Sequence, residues 1–385
     1  MLLFKLLIRN AFRHKLRTTL TILGITIAIL AFGLLRTVVA AWYAGVEASS
    51  ASRLVTRNAI SLIFPLPISY KDKIRQIEGV RTVSYGTWFG GVYKEEKNFF
   101  PNLAVEAKSF LEVYPEFVLD DDDLRAFLKD RKGFVAGRKL VERFKWKPGD
   151  TVTLKGLIFP GDWDFVLRGV YRGRDRTVDE TQFLFHWDYL NERIKDRMTT
   201  WANQVGFYMI DIKRPDLAAE VSTAVDGAFR NSLAETLTET EKAFQMGFVS
   251  MTEAIVMAIQ LVSFVVIVII MAVVANTMAM TTRERIGEYA VLKTLGFDGR
   301  HILGLVLGES LVITLTGGIL GIVLTYPAAA LFAHKMGHFF PIFHVEMKTV
   351  YLDFAAALLV GVIAAVVPTR RAIGIRIADG LRRIG

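Results

Sequence analysis

Gly133-Phe-Val-Ala-Gly137-Arg-Lys139-Leu140 is the string nearest to a phosphate-binding loop. Such a loop needs Gly-x-x-x-x-Gly-Lys-Ser/Thr, so that backbone amides cradle the phosphates and a hydroxyl reaches magnesium. Here the spacing is wrong and no hydroxyl follows the lysine, so the chain is not expected to hydrolyse nucleotide itself. Asp120 to Asp123 offers oxygen ligands for calcium. A calcium loop, however, spreads its oxygens along a turn-rich segment with a closing Glu. Adjacent aspartates before Leu124 fit a helix cap and solvated charge better. His334 and His338 have i, i+4 spacing, with His344 and Glu346 following, and neutral imidazoles can bind zinc. The neighbouring Phe339, Phe340 and Phe343 more simply describe a loop at a membrane interface. No nucleophile, base and oxyanion set can be picked out. Zero cysteines exclude disulfides and thiolate metal sites and are compatible with a bacterial periplasm. No catalytic, cofactor or metal site is therefore predicted in this chain.

Arg36 and Glu309 sit within apolar surroundings. Arg36 lies about two turns from one end of the apolar run Leu20–Trp42 and can snorkel to headgroups or face a cavity or partner. Glu309 lies inside the run Ile302–Phe332, where an intramembrane carboxylate is a functional candidate by default. A structural hydrogen bond and a direct mechanistic role both stay open for it. Gly304 and Gly308, then Gly317 and Gly321, form two small-xxx-small pairs on the same run, a pattern that lets helix backbones approach closely.

These residues are carried by four apolar segments, Leu20–Trp42, Ala254–Met280, Ile302–Phe332 and Tyr351–Pro368. A bilayer core needs about 20 apolar residues as a helix, so each reads as a membrane span. The first is too long, and lacks the small-residue cleavage site, for a removed signal peptide. Charge sets the orientation. Three short strips flanking the spans hold 14 basic residues against 4 acidic ones. The stretch Tyr43–Glu253 holds 30 basic and 31 acidic residues, so the net charge of +9 sits almost wholly at the membrane flanks. The positive-inside rule places those strips, and both termini, in the cytoplasm. A DNA-binding domain would carry its own positive patch, so no nucleic acid is expected.

The predicted fold is thus an α-helical membrane protein with four transmembrane helices. A large α+β periplasmic domain is inserted between the first and second. Residues 1–17 read as a cytoplasmic amphipathic helix lying in the membrane interface, with Lys5, Arg9, Arg13 and Arg17 as its basic stripe. Then follow the first span (18–42), the periplasmic domain (43–231) and a polar stalk helix (232–253) running unbroken into the second span (254–280). A cytoplasmic helix and loop (281–300), the third span (301–333), a periplasmic loop (334–350), the fourth span (351–369) and a cytoplasmic tail (370–385) complete the chain. Within the domain, Tyr70–Ile77, Asp120–Lys132 and Pro215–Arg230 read as helices. Val80–Tyr85, Thr151–Leu154 and Gly206–Ile212 read as strands.

The most specific stretch is Thr282-Arg-Glu-Arg-Ile-Gly-Glu-Tyr-Ala-Val-Leu-Lys-Thr-Leu-Gly-Phe297. It predicts a short helix closed by Gly296, with Ile286, Tyr289, Ala290 and Lys293 along one side. An ordered helix with exposed apolar residues in so short a loop suits a docking element. The stretch resembles the coupling segment of MacB/FtsX-type ABC transporter permeases at Arg285, Glu288, Tyr289, Val291, Leu292, Leu295 and Gly296. Glu309 and Gly317-Gly318-Ile-Leu-Gly321 follow as in the family. The opening Arg9-Asn-Ala-Phe-Arg-His-Lys-Leu-Arg17, the turn Lys147-Pro-Gly-Asp150 and the tail Ile377-Ala-Asp-Gly-Leu-Arg382 are similar to the family's as well.

The resemblance implies a permease subunit in the bacterial inner membrane that works as a pair, a homodimer or a heterodimer. A separate ABC ATPase would dock on the coupling helix, with ATP and magnesium bound in that partner and no cofactor in this chain. It further implies mechanotransmission through the stalk to the periplasmic domain, exporting or extracting a hydrophobic or lipidated substrate. An adaptor, a lipoprotein or an outer-membrane component would be a further partner. The alternative it leaves open is an FtsX-like signalling relay that activates a periplasmic partner such as a cell-wall hydrolase. MacB itself carries a fused ATPase, and this chain departs from it by showing no phosphate loop.

Overall fold

The computed structural model describes residues 11–196, 198–336, 340 and 342–375. The chain forms two compact units. One, here the helical unit, comprises Met1–Ala41, Thr252–Met336 and Phe343–Gly385; the other, the sheet unit, comprises Trp42–Met251 and Gly337–Ile342.

The helical unit is built on α1 (Lys15–Ala48), α2 (Glu253–Glu284), the short α3 (Ile286–Thr294), α4 (Gly299–Met336) and α5 (Met347–Gly374). The four long helices are each long and apolar enough to cross a membrane. They outrun the apolar segments at both ends, because a helix does not stop where its hydrophobicity does. Helix α1 already begins at Lys15, and residues 1–10 of the expected interfacial helix lie outside the described residues. Helix α5 passes through Pro368 and ends at Gly374, so Arg370 and Arg371 belong to it rather than to a tail. Proline is tolerated inside membrane helices where neighbouring helices satisfy the freed backbone groups, and Pro327 sits within α4 in the same way.

Close approach in this unit is the work of small residues on α4. A Cβ placed on Gly317 would lie 2.8 Å from Ile25 Cβ and 2.9 Å from the Ile22 carbonyl. One on Gly321 would lie 2.8 Å from Ile29 Cβ and 2.9 Å from the Thr26 carbonyl, so this pair seats α1 directly on α4. Thr26 Oγ1 adds a hydrogen bond to the Gly317 carbonyl at 3.2 Å. On another side of α4, Gly318 meets Ala357 of α5, and Ser310 Oγ donates to the Gly361 carbonyl at 2.7 Å. The other pair has looser surroundings among the described residues. Gly304 is exposed, a Cβ placed on it would meet nothing within 4 Å, and Gly308 is half-buried. Small residues permit contact; they do not compel it.

The sheet unit is a mixed sheet. Its strands run in the order Thr236–Thr240, Arg53–Asn58, Phe207–Ile212, Val80–Trp88, Asn102–Val105, Phe183–His186, Gly133–Gly137, Gly161–Gly173, Thr151–Gly156 and Gly91–Val92. Helices over Tyr70–Arg75, Asp121–Lys129 and Ala218–Ala228 match the expected segments with shorter bounds. Apolar side chains pack on both faces. Trp163, Phe165 and Leu167 join an aromatic core with Phe89, Phe134 and Phe183, whereas Tyr171 joins a second core with Phe110, Phe127 and Val135. Strict alternation would put all four on one face. The register shifts here, pairing Phe134 with Leu167 and Val135 with Gly169, so the extra residue Arg168 flips the rest of the strand to the other face.

The expected stalk helix over 232–253 is corrected. Thr236-Leu-Thr-Glu-Thr240 is an edge strand antiparallel to Arg53–Asn58. Alternating threonines suit a pleated surface, and their hydroxyls find partners there. Thr236 and Thr238 donate to Asp226 at 2.9 and 2.7 Å, and Thr238 meets Thr56 at 2.9 Å. Helix begins only at Glu241 and ends at Met251, and α2 starts afresh at Glu253. Gly247, Ser250 and Thr252 are weak helix formers near that break.

Candidate functional site

Helix α3 joins α2 to α4 and is fixed to the helical unit from several sides. Arg285, in the bend between α2 and α3, donates from Nη1 to Glu309 of α4 at 2.7 Å and from Nε to Glu288 at 2.9 Å. The side chains of Arg285 and Glu309 are 9% and 5% exposed, so this is a buried ion pair. Burial works against the guanidinium's charge, but Tyr289, Glu288 and Glu309 outweigh it and hold Arg285 above its ordinary value. Burial would raise Glu288, yet hydrogen bonds from Arg285 and Arg13 keep its carboxyl below the usual range. Arg17 of α1 grips Glu284 with both nitrogens at 2.8 Å, the fork geometry that suits guanidinium to carboxylate. Lys293 Nζ donates to the carbonyls of Ile373 and Ile375 at 2.6 and 2.8 Å, capping the end of α5.

Helix α3 ends with Gly296 at φ +88°, its N–H donating to the Lys293 carbonyl, while the Phe297 N–H donates to the Leu292 carbonyl. That left-handed closure is the glycine cap expected from sequence.

The residues grouped by sequence separate into two sets. Arg285, Tyr289 and Leu292 face the unit's own core, Tyr289 being 1% exposed and Leu292 half-buried against the cluster that includes Ile302 and Val306. Ala290 is buried beside them. The expectation that Tyr289 and Ala290 form an exposed docking side is therefore corrected. The apolar side chains left in the open are Val291, Leu295 and Phe297, at 41%, 70% and 40% exposure, with Glu288 and Gly296 next to them. Periodicity alone does not say which stripe of a short helix turns inward. Phe297 and the clasping Arg13 and Arg17 were not singled out for this site, although the latter two were legible as a basic stripe.

Glu309 is buried on α4 and paired, and Arg36 is half-buried on α1. Neither touches α3's exposed side. Among the described residues no group of His, Asp and Glu is arranged to hold a metal ion. His338 lies outside those residues. Asp120 stands at the start of its helix, its carbonyl accepting the Leu124 N–H at 2.9 Å. Asp122 pairs with Arg125, and Asp123 accepts from the Val170 N–H at 3.1 Å, so these two carboxylates serve the local fold.

Residues 261–377, which include most of α2 and all of α3, α4 and α5, match the family model described as FtsX-like permease C-terminal. An uncharacterized ABC transporter permease of Methanocaldococcus jannaschii is 25% identical over 94% of this chain and 93% of its own length. A macrolide export ATP-binding/permease protein MacB of a Shewanella species is 27% identical over 44% of this chain, and the matched part spans only 26% of that protein. The periplasmic region of MacB from Actinobacillus actinomycetemcomitans covers 53% of this chain at 10% identity with a TM-score of 0.37, too slight a likeness to argue from.

Proposed function

We propose that this chain, an ABC transporter permease of the FtsX and MacB type, couples ATP hydrolysis in a separate cytoplasmic ATPase subunit to conformational change beyond the membrane. The observation that carries this reading is the division of α3 into an anchored side and an exposed apolar side. A displacement imposed on Val291, Leu295 and Phe297 from the cytoplasm is passed to α4 through the Arg285–Glu309 pair and to α5 through Lys293. The exposed side is small, apolar at its centre and bordered by Glu288, which suits a cleft in a protein partner. The basic strips support a cytoplasmic position for it. The sheet unit is then the periplasmic part, and the output is export or extraction of a hydrophobic or lipidated substrate by a pair of permease subunits.

The test is to purify the chain from native membranes with whatever ATPase subunit accompanies it. Leu295→Asp is expected to leave the permease folded while weakening retention of the ATPase by roughly 30-fold, the loss of a contact worth about 2 kcal/mol at an interface. Nucleotide turnover is expected only in the complex. Undiminished ATPase capture and coupled turnover in both Leu295→Asp and Val291→Asp would show that α3 is only a connector.

A further inference from the structure

We propose that Asp353 is a proton-binding site inside the helical unit, neutral in this packing and ionised when α1 parts from α4 and α5. Asp353 is 0% exposed on α5, and neither carboxyl oxygen has a hydrogen-bond partner among the described residues. Its place is made by a missing side chain. A Cβ on Gly33 of α1 would lie 2.7 Å from Asp353 Oδ2 and 3.0 Å from Thr325 Oγ1 of α4, so the three helices meet at this carboxyl.

The Thr325 hydroxyl points its hydrogen elsewhere, donating to the Gly321 carbonyl at 2.8 Å. Among the described residues no donor is left for the carboxyl. A pocket without a donor repels a carboxylate and suits a carboxylic acid. An unpaired charge buried this way is costly, and the group neutralises instead.

Arg36 stands three residues beyond Gly33 on α1. Among the described residues the packed helices bring no other charge near Asp353. Helix α2 has no charged residue between Glu253 and Arg283, and Tyr326 is the one titratable side chain of α4 between Glu309 and His334. On α5 itself the nearest are Lys348 and the exposed Tyr351. Parting α1 from the other two helices admits water, which takes the proton, and leaves Asp353 as a carboxylate free to pair with Arg36. Closing reverses both steps. The site thus links one proton to a helix movement, independently of what docks on α3.

Two measurements on the purified full chain test this. Infrared spectra near neutral pH should contain a protonated carboxylic acid C=O band that disappears in Asp353→Asn. The unfolding midpoint should fall by several degrees as pH rises from about 5 to about 9, because the unfolded chain ionises Asp353 in water and the folded one does not. Asp353→Asn, close to isosteric with the acid, should be at least as stable and should show a flatter profile. An unchanged carbonyl band in the variant, or equal pH slopes, would mean that Asp353 is ionised here and would overturn the proposal. Neither readout involves an ATPase, so it can fail while the coupling role of α3 stands.

Discussion

Two carboxylates are buried in the same helical unit and are treated in opposite ways. Glu309 meets Arg285 at 2.7 Å; Asp353 meets no donor among the described residues. Glu309 and Thr325, which lines the Asp353 pocket, are 16 residues apart on α4, roughly 24 Å along a helix. One end of the unit is locked by an ion pair, and the other is held by close packing around an acid with no partner. A paired charge resists being moved unless its partner moves with it. A neutral acid leaves its site without breaking an ion pair. The difference assigns rigidity to the α3 end and freedom to the Gly33–Thr325–Asp353 end.

The largest effect expected is from Glu309→Ala, which removes the buried partner of Arg285 and leaves it the more exposed Glu288. Removing one partner of a buried pair costs about 3–5 kcal/mol. Expression yield and the unfolding midpoint in detergent should both drop sharply, whereas Asp353→Asn should lose nothing. Comparable losses from the two would erase the contrast.

The two sides of α3 sharpen it further. Leu292→Asp places a charge in the unit's core and should destabilise the protein by about 2 kcal/mol or more, since burying an unpaired charge is among the most disruptive single changes. Leu295→Asp, on the exposed side, should change stability by less than about 0.5 kcal/mol. Thermal unfolding of the pair decides whether α3 is oriented as described.

Smaller is the cost of Gly321→Ala, whose Cβ meets Ile29 Cβ at 2.8 Å and forces α1 off α4. Overpacking of this kind costs about 1–3 kcal/mol. Gly304→Ala, with open space around it, should be silent in the same assay.

The smallest effect is expected in the sheet unit and runs the other way with pH. His186 is buried against the Phe127 carbonyl at 2.7 Å, and burial lowers it from the ordinary 6.5. Its contribution is present above that value and is lost as pH falls, because the unfolded chain takes up the proton first. Protease resistance of residues 42–251 in the full chain should decline by about 1 kcal/mol or less on acidification below pH 6.5, less so in His186→Gln. The proposed Asp353 site predicts destabilisation on raising pH, so the two units should show opposite slopes.

The sheet unit has its own buried ion cluster. Arg53 donates to Glu116 at 2.7 Å and Glu241 at 2.9 Å and lies 4.0 Å from the Tyr114 ring. Burial opposes its charge, but Glu116, Glu241 and Tyr114 raise it beyond its ordinary value. Tyr114 also donates to Glu241 at 3.0 Å. Glu241 opens the helix that follows the edge strand, so this cluster fixes the start of that helix to the sheet.

Much of this was readable from residue order. Runs of twenty apolar residues can only be helices in a bilayer, so the four long helices followed from composition. Gly296 closes α3 because only glycine takes that backbone turn cheaply, and the family likeness rested on the same local string. What the sequence did not determine was facing. The alternation Thr-Leu-Thr-Glu-Thr was present at 236–240, but whether it makes a strand depended on Arg53–Asn58 and Asp226 being there to pair with it. Equal Gly-xxx-Gly patterns gave a close approach at Gly317–Gly321 and, among the described residues, open space at Gly304, because a glycine removes an obstacle without supplying a neighbour. Glu309 and Asp353 are both lone acids in apolar helices, indistinguishable by their flanks. Only the tertiary structure decided that one would find Arg285 and the other would meet no donor among the described residues. Burial and pairing are properties of what lies across the gap, and that partner is distant in the chain.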